Sequence, residues 1–415
     1  MKREAASDRA CASRRDFLHR AAAPLAAALW ARSAAAGGPP TRGTVAEPAA
    51  KRPAWVEALP LWQWAEIPGT ALASVAPSPV PYGATGPAAK IRAWNGASLR
   101  RRGSVYLIGA AGGHNDYAGN EVDALALNVE KPAWAQLRAP TPNAEILNGQ
   151  GDGNGGPTQF NLDRRPTATH TYWGTQFIDP LDRMMVFAGP TYSFTASAAT
   201  PKGWGYKTAG RAYSFDMARN DWDAPDFVAA FPDSGSFYGE LCVKHPATHD
   251  VYRSCNGGRG IWRWSAGSNR WTLLTGSASR SAWYAGSAID PRRERLLVVG
   301  GYQPAAPEVY GTDGLPRQTA WRGLGTRALT IAGYPGVVYD EALDRYHVLF
   351  NQGAGVELLS VDAETFEVFR PEMATDGPSA RENGIQNSFQ YVPELRGVIF
   401  VNNYQKNALF MRTAN

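Results

Sequence analysis

The sequence predicts an all-β chain of repeated four-stranded antiparallel sheets, and three observations carry that prediction. The first is composition. The 415 residues include 43 Gly, 30 Pro, 14 Trp, 17 Tyr and 15 Phe, a mixture typical of aromatic strands joined by tight turns. Hydrophobic residues make up 44%, too many for a wholly disordered chain. The glycines lack the every-third spacing of collagen. The second observation is an apolar strand, a tight turn and a second apolar strand, recurring as 177–187, 288–299, 338–349 and 390–400, with 241–253 as a looser copy. Pro180, Pro246, Pro291, Glu341 and Pro393 occupy equivalent positions, roughly 50 residues apart. The third is a second hairpin after each copy: 213–222 aligns without gaps on 262–271, and 359–368 shares the frame.

Two consecutive hairpins make a sheet with two apolar faces, which cannot bury both alone. Radial stacking of copies solves this and gives a β-propeller. First strands are expected near residues 91, 172, 238, 284, 335 and 386, which makes six blades. The irregular stretch from Gln303 to Arg327 leaves a seventh as the alternative. The last blade has no fourth strand of its own. The segment 61–68 resembles the fourth strand of blade 1 at 134–140, so the N-terminal strand is expected to complete that blade and close the ring. Gly-Gly pairs at 112–113, 257–258 and 300–301 follow strands, and Trp134, Trp222, Trp271 and Trp321 mark expected fourth strands. This pattern resembles the Kelch repeat, in the superfamily of the galactose-oxidase central domain. It implies the fold and says little of function, because such propellers host both binding proteins and enzymes.

Ahead of the propeller, Arg14-Arg15, Phe17-Leu18, an apolar run from Ala21 to Trp30 and a small-residue end resemble a twin-arginine export signal. The expected organisation is a signal at 1–36, a Gly/Pro/Ala-rich linker at 37–58 and a propeller at 59–415. The resemblance implies the export machinery as a partner and a periplasmic or secreted location. No apolar run reaches the ~20 residues of a membrane span, so no stable membrane anchor is expected. Charge agrees with this division. The net charge is +5, yet residues 1–36 hold seven basic and three acidic residues, so the remainder keeps only one net positive charge. Nucleic acid is therefore not an expected partner; the chain is expected to act as a monomer. Cys11 lies in the signal, and Cys242 with Cys255 flank a hairpin within reach of a disulfide.

In propellers of this kind one mouth of the central channel carries ligands, lined by first-strand starts and by second-to-third-strand loops. The richest such loop runs from Gly112 to Glu121, with His114, Asn115, Asp116, Tyr117 and Asn120 between. Equivalent loops offer Arg259, Tyr302, Asn351 and Tyr404; strand starts offer His170, Tyr172, Tyr238, Tyr284, Tyr334 and Asn387. Aromatic faces and planar amides suit a polyhydroxylated, carbohydrate-like ligand. The alternative is a lyase cleaving beside a uronic acid. There Arg259 would neutralise the carboxylate, His114 or His170 would take the proton, and Tyr238 or Tyr172 would assist the leaving oxygen. The set resembles, in kind only, that of propeller-fold lyases such as ulvan lyases. An envelope protein-interaction scaffold is a third reading. No cofactor or metal is expected: His245 and His249 read as surface residues of a turn, and the loop 152–163 lacks the Gly and Glu of a calcium loop.

Overall fold

A computed structural model describes residues 52–113, 116–146, 160–187, 212–232, 239, 241–254, 260–276, 284–374 and 376–415. It is a six-bladed β-propeller. A helical turn, α1 (Ala54–Glu57), and β1 (Trp64–Glu66) precede blade 1, which consists of β2 (Ser98–Arg100), β3 (Val105–Gly109), β4 (Val122–Ala126) and β5 (Trp134–Arg138). Blade 2 is β6 (Thr175–Ile178), β7 (Arg183–Phe187), β8 (Ala212–Asp216) and β9 (Asp221–Trp222). Blade 3 is β10 (Cys242–Lys244), β11 (Val251–Ser254), β12 (Ile261–Ser265) and β13 (Arg270–Thr275). Blade 4 runs β14 (Ala285–Asp290), β15 (Arg295–Ala305) and β16 (Glu308–Gly311). After β17 (Arg322–Gly323) and β18 (Ile331–Gly333), blade 5 is β19 (Gly336–Asp340), β20 (Arg345–Gln352), β21 (Gly355–Asp362) and β22 (Glu367–Phe369). Blade 6 is β23 (Phe389–Val392), β24 (Gly397–Phe400) and β25 (Leu409–Arg412).

The first strands neighbour one another in the order β2, β6, β10, β14, β19, β23 and back to β2. The ring closes as expected: β1 pairs antiparallel with β25, Trp64 opposite Met411 and Glu66 opposite Leu409. The apolar core lies between adjacent sheets. Tyr106, Leu125, Trp134, Ile399 and Phe410 fill the gap between blades 6 and 1; Leu107, Phe177, Met184 and Phe215 fill that between 1 and 2.

The internal repeat has a geometric cause. The turn between first and second strands needs one left-handed residue, supplied by Asp182, His249, Glu294, Asp344 and Arg396, with φ between +49° and +62°. In blades 4 and 5 an aspartate ahead of the turn closes it. Asp290 Oδ1 accepts the Arg292 and Arg293 amides, and Asp340 Oδ1 those of Ala342 and Leu343. Asp216 and Asp362 do the same in the later hairpins. These four aspartates are thus spent on orphan backbone donors.

Four expectations need correction. The stretch near residue 91 is helical, α2 (Ala89–Arg92), and the first strand of blade 1 starts at Ser98. Trp321 does not mark a fourth strand of blade 4. β17 runs parallel to β22 on the outer edge of blade 5, where Trp321 packs against Phe366 at 5.3 Å; β18 instead pairs with the far end of β15. His245 is buried rather than at the surface: its Nδ1 accepts the Ala247 and Thr248 amides and closes the turn. Within the expected linker, Trp55 of α1 packs on Phe410 and Val56 is fully buried, because the propeller edge there is apolar. Cys242 is buried and sits opposite Arg253; Cys255 lies outside the described residues, as do residues 1–51. Among the described residues no helix is long and apolar enough to cross a membrane.

Candidate functional site

The mouth is built by the residues that lead into the first strands. Trp94, Tyr172 and Tyr284 hold left-handed backbones, with φ of +38°, +47° and +59°. Bulky L-residues adopt that region at a cost of about 1–3 kcal/mol each. The cause is inter-blade bonding. Tyr172 N donates to Trp94 O, Tyr284 N to Gly239 O, and Ile385 and Gln386 N to Tyr334 O. Blade 3 carries glycine at this position because the Tyr172 ring occupies the space: a Cβ on Gly239 would lie 2.6 Å from it.

These lead-ins send aromatic rings onto the axis. Tyr172 of blade 2 stacks on Tyr334 of the opposite blade 5, centroids 6.4 Å apart and 19° between planes. Tyr284 lies 4.5 Å from Tyr334, and Tyr302 5.7 Å from Tyr284. Trp173 stacks beneath Tyr334 at 6.1 Å. On the other side, Trp94 lies 5.2 Å from His170, itself 6.0 Å from Tyr172. Tyr172 and Trp173 are buried, Trp94, Tyr284 and Tyr334 are half-buried, and Tyr302 is 70% exposed. Among the described residues the mouth is therefore an aromatic floor with one projecting ring.

His170 and Asp116 sit at its edge, with Nε2 and Oδ2 3.1 Å apart. His170 is fully buried; burial lowers its imidazole below the ordinary value although Asp116 pulls the other way. Asp116 is fixed through Thr85, whose hydroxyl donates to Oδ1 at 3.0 Å and whose amide donates to the Asp116 carbonyl. Arg92 is forked onto Glu382 at 2.7 and 3.2 Å.

The remaining expected residues within the described regions are engaged with partners inside the fold. Tyr117 and Glu121 are buried, and the Tyr117 hydroxyl donates to Glu121 Oε1 at 2.7 Å. Lys90, also buried, lies 2.8 Å from Glu121 and 2.5 Å from Asp123. Burial opposes charge on Lys90, but the two carboxylates outweigh it and raise the ammonium well above its usual range. Burial likewise pushes Asp123 up to about 6 against the pull of Lys90. Tyr404 is buried beside this group, and burial raises its hydroxyl. Asn120 bonds Thr141 and the Pro166 carbonyl, Asn351 brackets the Arg381 backbone, and Asn387 donates to the Trp173 and Thr175 carbonyls. His114, Asn115, Tyr238 and Arg259 lie outside the described residues.

Sequence reasoning missed Trp94, Trp173 and Lys90. Trp94 and Trp173 occupy the same lead-in region as the tyrosines, so extending the search by two residues would have found them. Lys90 falls in a helical turn outside any repeat, and nothing local marks it.

No protein-family model matches the chain, and a search of curated proteins returns no match. Among solved structures, a structural genomics protein of unknown function from Bacteroides thetaiotaomicron is 12% identical, with 84% of this chain and 74% of that one covered, at a TM-score of 0.46. TolB from Acinetobacter baumannii is 10% identical over 71% of this chain and 60% of its own, at 0.38. A chain of a nidogen/laminin complex is 13% identical over 48% and 73%, at 0.29. Likeness this distant carries no argument about function.

Proposed function

We propose that the protein is an exported binding scaffold whose aromatic mouth takes an uncharged, polyhydroxylated ligand of the glycan type. The observation that supports it most is the convergence of the half-buried Tyr284 and Tyr334 on the axis beside an exposed Tyr302, with Tyr172 packed under them. Aromatic faces stack on the C–H face of a sugar ring. An uncharged ligand suits the site because Arg92 is engaged by Glu382 and Asp116 by His170 and Thr85. The lyase reading has less support: His170 and Tyr172 are buried beneath their neighbours, out of reach of a polymer.

The test is calorimetric titration of neutral and uronic oligosaccharides against the wild type, Tyr302→Ala and Tyr284→Ala. Binding weakened roughly two- to tenfold by each change is expected. A panel that yields no binding, or binding indifferent to both changes, removes this reading. Release of unsaturated product from a uronate polymer would replace it with the lyase.

A further inference from the structure

Among the described residues the aromatic floor has a second polar layer behind it. Behind the aromatic floor, Trp173 is fully buried and its carbonyl accepts the side-chain amides of both Gln176 and Asn387, at 2.9 Å each. What remains is a blind pit of about 140 Å³ opening on the opposite face, among the first-to-second-strand turns, and lined from all six blades. Engineered cavities of about this volume hold a benzene-sized molecule.

The chemistry of the pit is one-sided. Gln176 Nε2 donates to the Trp173 and Cys242 carbonyls, Asn387 Nδ2 to those of Trp173 and Thr175, and Gln390 Nε2 to those of Ala97 and Asn387. All these partners are carbonyl oxygens, so the orientation of each amide is forced, and both N–H groups of each are spent. The floor is left with three side-chain carbonyls as acceptors. Ser287 Oγ, buried on the wall, has no hydrogen-bond partner among the described residues. Val243, Ile289, Val337 and Val338 supply an apolar shaft. At the opening Arg101 lies 2.8 Å from Glu341 and 4.0 Å from Glu394, and Lys244 lies 2.7 Å from Asp179, beside the His249 ring. Both cations at the opening are thus ion-paired.

We propose that this pit is a second ligand site, separate from the mouth, that takes the ammonium group of a small primary amine onto the floor carbonyls with its short alkyl chain along the shaft. An ammonium has three donors and no acceptor, the complement of three side-chain carbonyls, and the Ser287 hydroxyl on the wall can accept from it as well. An alcohol of the same size satisfies one floor carbonyl, and a carboxylate satisfies none of the three, whatever it accepts from Ser287.

Calorimetry on the full chain with n-butylammonium, n-butanol, butyrate and potassium chloride tests this. Butylammonium is expected to bind at least tenfold more tightly than the other three. Ser287→Ala should weaken it several-fold, and Ala288→Met, which fills the shaft, should abolish it while thermal melting confirms a folded chain. Protein-detected NMR should shift the Val243 and Ile289 methyls on amine addition. Equal affinity for butanol or butyrate, equal affinity for potassium, no amine binding, or binding indifferent to both substitutions in folded protein would overturn the proposal.

Discussion

The two faces of the propeller are built from the same strands yet use their side chains in opposite ways. On the turn face the same device recurs: a left-handed residue and an aspartate closing the turn, as at Asp290 and Asp340, with arginines bridging the turns. Arg293 reaches both Asp290 and Asp344, and holds the Asp344 carboxyl down to about 2. On the mouth face the lead-in backbone also recurs, but its side chains do not: Trp94, Tyr172, Gly239, Tyr284 and Gln386 occupy it in turn. The turn face keeps its left-handed residue in five blades and, in blades 4 and 5, the aspartate that closes the turn; the mouth face keeps only its backbone.

The largest test of this contrast strikes what holds the mouth in place. Lys90→Met leaves Glu121 and Asp123 buried without their cation, and unfolding measurements should show a loss of about 3–5 kcal/mol. Asp340→Ala comes next. It removes the turn closure, the Thr413 hydroxyl bond and the His347 contact at 3.3 Å, and should cost about 2–3 kcal/mol by chemical denaturation. Were it harmless, the turn face would not be where geometry is stored.

Acid response separates the mouth edge from its support. His170 is lowered from 6.5, so the unfolded chain takes up this proton first as pH falls; that stability is present above 6.5 and is lost on acidification. Asp123 is raised from 3.8 to about 6. Its contribution is full below 3.8 and is lost as pH rises towards 6. His170→Asn should therefore flatten the fall in stability below pH 6.5, and Asp123→Asn should steepen it, as followed by melting temperature against pH. The smallest effect belongs to Tyr302→Ala. With 70% of the residue exposed, stability should change by less than about 0.5 kcal/mol, while ligand binding weakens. A larger loss of stability would make Tyr302 a packing residue.

Much of the fold was legible because strand alternation and turn chemistry are local. The hairpins around Asp182, Glu294 and Asp344 announce themselves within a dozen residues, and ring closure by 64–66 follows from a missing fourth strand. Blade 4 was misread at Trp321 because a tryptophan on the outer edge looks the same whichever neighbouring sheet receives it. The site was legible as a set of residue types and illegible as an arrangement. Tyr117, Glu121 and Tyr404 read as mouth residues, yet their rings and carboxylate turn inward to Lys90, a partner 27 positions from Tyr117 in sequence. Gln176 and Gln390 gave no signal at all, since an amide inside a strand looks the same whether it faces water or bolts two blades together.

By itself, then, the sequence determined the repeating unit, its turns and the closure of the ring, because each depends on residues adjacent in the chain or on a simple count of strands. Only the tertiary structure decided which side chains line the mouth and which are spent internally. Stacking six blades around an axis brings residues from opposite blades, Tyr172 and Tyr334, into contact. It also consumes the amide donors of Gln176, Asn387 and Gln390 on neighbouring backbones. Long-range packing of that kind leaves no periodic trace in the chain.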